Sequence, residues 1–229
     1  MIYRGYNAVV IAQDAQTLSI LLVRPAADTA LNALWGQGCF DRAMAMIPSV
    51  APWTDPERFE PLTDVMRGGT LTNSFRGQGT PPYGLFFLGD TVCTTNPNGA
   101  RGTSLGLAQV GSLMRALETP DDASALFDEW CTQNLRPWYV DHVARDASLL
   151  RRFAGVAVDP EAEVTSDVIG TAALQDPSLM PVVGPYLAML ALPASLDAVK
   201  PAVRGLLRGG WQPVPADGPS SADLVAATV

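Results

Sequence analysis

Short runs of apolar and β-branched residues in the first third of the chain predict β-strands. The runs at 6–11 and 18–23 flank the polar segment at 13–16, which is typical of a β-hairpin. The runs at 61–66 and 70–75 flank Arg67-Gly68-Gly69, and the glycines there favour a turn. We therefore expect two hairpins before residue 84.

From residue 103 onward the apolar residues follow a helical period instead. Val110, Leu113, Met114 and Leu117 recur at positions i, i+3, i+4 and i+7, which places them on one face of a helix. Pro137 predicts a break between two long helices. Helices are expected at 28–34, 41–47, 103–118, 119–135, 138–153, 166–174, 179–192, 195–207 and 221–227.

These elements predict an α+β fold in which antiparallel or mixed hairpins precede a helical C-terminal part. We divide the chain into a sheet-forming segment at 1–83, a strand–loop–helix segment at 84–118 and a helical region at 119–229. The strand of the middle segment is expected at 85–88.

Composition and charge narrow the class of protein. The 229 residues are 48% hydrophobic and 17% charged, which is typical of a globular protein with a sizeable core. The net charge of −8 disfavours nucleic acid and anionic membranes as partners. Three widely spaced cysteines and no signal-peptide pattern predict free thiols and a soluble cytoplasmic protein.

The sequence lacks the residues that several common kinds of functional site require. His142 is the single histidine, and its apolar neighbours favour a structural, hydrogen-bonded role over catalysis. The sequence has no HExxH motif and no Cys/His cluster, so we expect no metal. It also has neither a P-loop nor a complete GxGxxG motif.

The stretch GLFFLGDTVCTTNPNGARGTSLG, at 84–106, carries the most specific signal. Its acid, Asp90, follows an apolar run, and a carboxylate accepts hydrogen bonds from sugar-type hydroxyl groups. Gly89 permits close backbone approach to a ligand, and Pro97 stiffens the following loop. The backbone N–H groups near Gly102 and Thr103 begin a helix, and a helix N-terminus attracts negative charge.

This stretch resembles the C-terminal flavin motif of FAD-dependent monooxygenases and oxidoreductases with the p-hydroxybenzoate hydroxylase fold. The segments RPAADTALNAL, PLTDVMRGGTLTNSFRG and RPWYVDHVARDASLLRRF resemble an oxidoreductase branch of that family. The resemblance implies that the acid binds the ribityl chain of FAD and that the loop and helix start lie against the isoalloxazine ring. It also implies that the segment at 1–83 is a partial substrate-binding sheet. The implied cofactor-binding residues are Gly89, Asp90, Pro97, Gly99, Arg101, Gly102 and Thr103.

Two departures from that family pattern shape the expected function. The GxGxxG unit that holds the ADP half of FAD is absent, and so is the family's middle Asp-Gly motif. After Gly-Asp the family continues with two small residues and a histidine, where this chain has Thr91, Val92 and Cys93. We therefore expect a partner, which is either a separately made N-terminal nucleotide-binding half or a second copy of this chain.

Two functions stay open from the sequence. The first is the C-terminal component of a split or truncated FAD-dependent oxidoreductase, a monooxygenase acting on a small organic substrate with NAD(P)H as reductant. The second is a flavin-free descendant of that fold that binds a small molecule or scaffolds a protein partner. No catalytic residue is assigned, and the substrate is not identified by either reading.

Overall fold

The computed structural model describes residues 1–69, 72–76 and 84–228, and these form an α+β structure. Two small antiparallel sheets precede a mostly helical C-terminal part, as the sequence predicted. The strands are β1 (Asn7–Ala12), β2 (Leu18–Val23), β3 (Ser74–Phe75) and β4 (Cys93–Thr94). The helices are α1 (Gln37–Met46), α2 (Gly102–Ala116), α3 (Ala123–Asn134), α4 (Arg136–Phe153), α5 (Ser166–Gln175), α6 (Met180–Leu187), α7 (Lys200–Arg208) and α8 (Ser221–Ala226).

The first predicted hairpin is confirmed. β1 pairs antiparallel with β2, so that Asn7 lies opposite Val23 and Ala12 lies opposite Leu18. The connecting turn contains Ala15 and Gln16, which have φ angles of 54° and 59°. Two consecutive left-handed residues give a turn whose twist matches that of the flanking strands.

The second predicted hairpin is wrong. The described residues 61–69 contain no strand, and β3 pairs instead with β4, where Phe75 lies opposite Cys93. Leu62 and Met66 are exposed, so a strand at 61–66 would have no apolar face to bury. Residues 70 and 71, which begin the second predicted strand, lie outside the described residues.

The strand expected at 85–88 is also wrong. Phe86 and Leu88 pack against the helical core while Leu85 and Phe87 are exposed, so the side chains alternate as in a strand. No strand of the described chain pairs with this segment, however, and it stays irregular. Asp90 consequently lies in a single 3-10 turn, Gly89–Thr91, rather than at the tip of a strand.

Helix boundaries follow the sequence signals closely where proline or glycine supplies them. α3 ends at Asn134 and α4 begins at Arg136, so the predicted break beside Pro137 is confirmed. α7 ends directly before Gly209-Gly210, also as predicted. The helix expected at 179–192 is shorter, because α6 ends at Leu187 and Met189 adopts a left-handed φ of 58°.

The chain divides into two compact units. The first comprises Met1–Thr70, Leu150–Ala157 and Val214–Val229, and its core includes Tyr6, Met44, Ile47 and Leu224. The second comprises Leu71–Leu149 and Val158–Pro213. Its core includes Phe127, Leu135, Trp138, Ile169 and Val203. All residues implied by the flavin resemblance belong to the second unit, and the functional segments 1–83, 84–118 and 119–229 stay predictions.

The apolar face of α2 that the sequence predicted is mostly exposed. Val110, Met114 and Leu117 are 45%, 64% and 43% exposed. The buried positions are Leu105, Gln109, Ser112 and Ala116, on the opposite side of the helix. The apolar periodicity correctly predicted a helix, but of its four residues only Leu113 packs against the core of the described chain.

Ile169 and Leu174 lie on the same helix, α5, and their substitution tests the assigned core of the second unit. Ile169 is fully buried and Leu174 is 76% exposed. We expect Ile169→Ala to lower the free energy of unfolding by about 2–5 kcal/mol, because it leaves a cavity in a packed cluster. The matched Leu174→Ala should change it by less than about 0.5 kcal/mol. Equal effects in urea unfolding would contradict the assigned core.

Candidate functional site

Asp90 lies on a turn whose backbone is fixed by hydrogen bonds on both sides of the residue. Gly89 has a φ of 66°, and its N–H donates to Oε1 of buried Gln109 at 2.9 Å. The Thr94 hydroxyl donates to the carbonyl of Asp90 at 2.8 Å. The Asp90 side chain is exposed, and its carboxylate has no hydrogen-bond partner among the described residues. A fixed backbone therefore presents a free acceptor to solvent.

The N-terminus of α2 lies beside this carboxylate. A Cβ built on Gly102, the first residue of α2, would stand 4.0 Å from Oδ1 of Asp90. Arg101 occupies the N-cap position of α2, and its side chain makes no capping hydrogen bond there. The first N–H groups of a helix lack intrahelical acceptors. Thr103 and Ser104, in the first turn of α2, are exposed.

The loop between β4 and α2 has a defined shape. The side-chain oxygen of Asn96 accepts from the N–H of Asn98 at 3.0 Å, and Pro97–Gly99 forms a 3-10 turn. Ala100 follows in the left-handed conformation with φ 53°. The N–H of Asn96 donates to Oδ1 of Asn73 at 2.6 Å, which joins the loop to the segment that contains β3.

One face of α4 packs against this loop. The side chains of that face recur at helical spacing and are Trp138, Asp141, His142, Arg145 and Asp146. Asp146 begins the contacts at the far end of the loop. Its Oδ2 accepts from Nδ2 of Asn73 at 2.7 Å and from Nδ2 of Asn96 at 3.1 Å. A single carboxylate thus joins both asparagines and fixes where the loop begins.

His142 supports the middle of the loop and is hydrogen-bonded, as the sequence predicted; its structural rather than catalytic role stays a prediction. It is completely buried, and its Nδ1–H donates to the carbonyl of Trp138 at 2.8 Å. A Cβ built on Gly99 would lie 2.4 Å from Nε2 of His142 and 3.0 Å from Nη1 of Arg145. The backbone of Gly99 therefore packs directly on the imidazole, in a space that no larger residue fits.

Arg101, the last residue of the loop, forms a buried ion pair with Asp141. Its Nη1 lies 3.2 Å from Oδ2 of Asp141, and Tyr186 donates to the same oxygen at 2.7 Å. The guanidinium lies 4.5 Å and 4.4 Å from the ring centroids of Trp138 and Tyr186. Burial, with the Asp141 carboxylate beside it, raises the pKa of Tyr186, so this hydroxyl remains a donor at neutral pH.

The structure thus divides the implied flavin-binding residues into two sets. Gly89, Asp90, Gly102 and Thr103 lie together around the N-terminus of α2, and Pro97 is exposed on the adjoining loop. The Arg101 side chain and Gly99, by contrast, are engaged by α4. That all seven contact FAD remains a prediction.

The face of α4 that supports the loop between β4 and α2 was not predicted from the sequence. The stretch RPWYVDHVARD carries its members at helical spacing, which was a usable signal. Polar residues at that spacing more often form a solvated face, and their partners at 73–101 are distant in sequence. Only the fold shows that Asp141, His142 and Asp146 all contact one loop.

The cysteines are free thiols. Cys93 and Cys131 are buried, and Cys39 is half-buried. Burial, with Asp90 nearby, raises the pKa of Cys93 to about 11, so it is a neutral thiol at physiological pH. Among the described residues, no three His, Cys, Asp or Glu side chains lie together as metal ligands would.

Comparisons with protein-family models, with curated proteins and with solved structures found no match to this chain. Across the described ranges, no helix combines the length and the apolar character that crossing a membrane requires.

The packing of Gly99 on His142 gives a direct test of the loop support. Gly99→Ala should lower the free energy of unfolding by about 1–3 kcal/mol, because its Cβ overlaps the imidazole. In a His142→Ala background the same change should cost much less. Gly111→Ala, where a Cβ meets nothing within 4 Å in the middle of α2, is the control and should not destabilise. Equal costs in both backgrounds would show that the clash lies elsewhere.

His142 also predicts a pH dependence of stability. Burial lowers its pKa below 6.5, aided by Arg101 and Arg145 and opposed by the bond to Trp138 and by Asp141. As pH falls, His142 therefore takes up its proton in the unfolded chain before it does so in the folded one. The contribution of His142 to the free energy of unfolding is complete above pH 6.5 and is lost as pH falls toward its folded pKa. The slope from this residue is at most about 1.4 kcal/mol per pH unit.

His142→Gln keeps a polar side chain and removes the titration. We expect its free energy of unfolding to depend less on pH than that of the wild type between about pH 7 and about pH 5. Urea unfolding at several pH values measures both slopes. Parallel slopes would mean that His142 does not carry the pH dependence.

Proposed function

We propose that this chain is the C-terminal component of a split or truncated FAD-dependent oxidoreductase, a monooxygenase that acts on a small organic substrate. The observation that carries this proposal is the exposed carboxylate of Asp90, which has no hydrogen-bond partner among the described residues and lies beside the N-terminus of α2. The resemblance of the segment at 84–106 to a flavin motif supports the same reading.

The residues around α2 fit the ribityl and isoalloxazine side of the cofactor. Asp90 accepts hydrogen bonds from the ribityl hydroxyl groups, since a free carboxylate is an acceptor with no competing partner in this part of the chain. The N–H groups at the start of α2 stabilise negative charge on the edge of the ring. Because Asp146, His142 and Asp141 fix the loop, the surface is formed before the ligand arrives.

FAD, when bound, supplies electron transfer from NAD(P)H and activation of dioxygen. The side chains of this chain supply binding and orientation, and we assign none of them a proton transfer. The ADP half of the cofactor needs a phosphate-binding motif that this sequence lacks. A second polypeptide with a nucleotide-binding half therefore completes the site in this proposal.

The second candidate function is a flavin-free descendant that binds a small molecule or scaffolds a protein. The burial of Arg101 favours it, because a cation that would neutralise a reduced flavin is instead paired with Asp141. Under this alternative the loop and α2 are retained as structural elements, and Asp90 is a surface acid without a ligand.

Titration of the full chain with FAD and with riboflavin, followed by flavin fluorescence, distinguishes the two candidates. We expect both flavins to bind with similar affinity, because the chain contacts only the part that they share. Asp90→Ala should weaken both by about 10–100-fold, the loss of a hydrogen bond to a charged group.

Asp121→Ala is the matched control, since Asp121 is an exposed acid of the same unit outside the site, and it should leave both affinities unchanged. Circular dichroism establishes that the variants are folded. Absence of flavin binding by the wild type, alone and with a candidate nucleotide-binding partner, would favour the flavin-free function. Binding that survives Asp90→Ala would remove Asp90 from the site.

A further inference from the structure

The outer face of α2 carries an apolar stripe that the described chain leaves uncovered. Its members are Leu107, Val110, Met114 and Leu117, and Leu107 is the most exposed of them at 69%. The inner face of the same helix buries two polar residues, Gln109 and Ser112. The exposed face is therefore more apolar than the buried one, which is the reverse of an ordinary surface helix.

The spacing of the apolar stripe suits a second helix. Steps of three, four and three residues from Leu107 to Leu117 reproduce the a and d positions of a heptad, the seam along which two helices pack. Gly106 and Gly111 border the stripe, and a Cβ at either position would meet nothing within 4 Å. Residues without side chains beside a seam let two helix backbones approach closely.

The apolar stripe is also symmetric about position 112. In an antiparallel pair, Leu107 of one copy meets Leu117 of the other, and Val110 meets Met114, so every layer is filled by apolar side chains. A twofold axis requires this kind of self-complementary surface. Arg115 is the single charged residue of α2 and lies off the stripe, so pairing brings no like charges into the seam despite the net charge of −8.

We infer that the apolar stripe is the docking surface for a second copy of this chain, joined by antiparallel packing of α2 on α2. The seam involves one helix of 15 residues per copy. Because one helix per copy forms the seam, we expect a dimer that dissociates on dilution. This inference does not rely on flavin binding.

Sedimentation velocity of the flavin-free full chain over a wide concentration range tests the association. The wild type should shift from the monomer mass toward twice that mass as concentration rises. Leu107→Glu should raise the dissociation constant at least about tenfold by burying a charge in the seam. Leu174→Glu is the matched control on α5, equally exposed but outside the stripe, and should associate as the wild type does.

Disulfide cross-linking tests the orientation. In a Cys39→Ser background, which leaves two buried cysteines, Leu107→Cys and Leu117→Cys are prepared as separate variants. An equimolar mixture should cross-link to the mixed dimer faster than either variant cross-links to itself. A wild type that stays monomeric, a dimer unaffected by Leu107→Glu, or preferential linking of like with like would each overturn the inference; a monomer would assign the stripe to a different protein.

Discussion

The buried ion pair between Arg101 and Asp141 fixes the point at which the loop ends and α2 begins. Its guanidinium is also covered by Trp138 and Tyr186, so the charge is both paired and shielded. Removal of one partner from such a pair typically costs about 3–5 kcal/mol, because the other charge is left buried. The direction of α2, and with it the surface beside Asp90, depends on this contact.

α4 extends that support along the whole loop. Asp146 holds the start of the loop, His142 holds the middle and Asp141 holds the end. Because these residues share one helical face, the loop is positioned by a single rigid element. Such support favours a binding surface that needs little rearrangement when a ligand arrives. Because His142 supports the loop at Gly99, it is buried although it touches no proposed ligand.

The sequence predicted the elements whose signals are local. The hairpin around Ala15, the break at Pro137 and the helix that begins at Gly102 each depend on neighbouring residues. The failures involved partners that are distant in sequence. The segment at 85–88 has strand-like alternation, but a strand also needs a neighbour, and β3 pairs with β4 instead.

The candidate site was predictable to a similar degree. Gly89, Asp90 and Gly102 were implied by the resemblance of the segment at 84–106 to a flavin motif, and the structure places Asp90 beside the start of α2. The role of Arg101 as the partner of Asp141 was not predictable, since it depends on the packing of α4 and α6. The sequence predicted the apolar face of α2 as one face of a helix, but periodicity does not show what covers that face, and most of it is exposed.

The two proposals concern opposite properties of α2. Its N-terminus offers polar groups to a flavin, and its outer face offers apolar side chains to a second copy. The central claim is that Asp90 and the first turn of α2 form a ligand surface. Backbone amide NMR shifts of the full chain during titration with riboflavin test it most directly. We expect the largest shifts at residues 89–104; shifts confined to other segments, or none at saturating flavin, would contradict the claim.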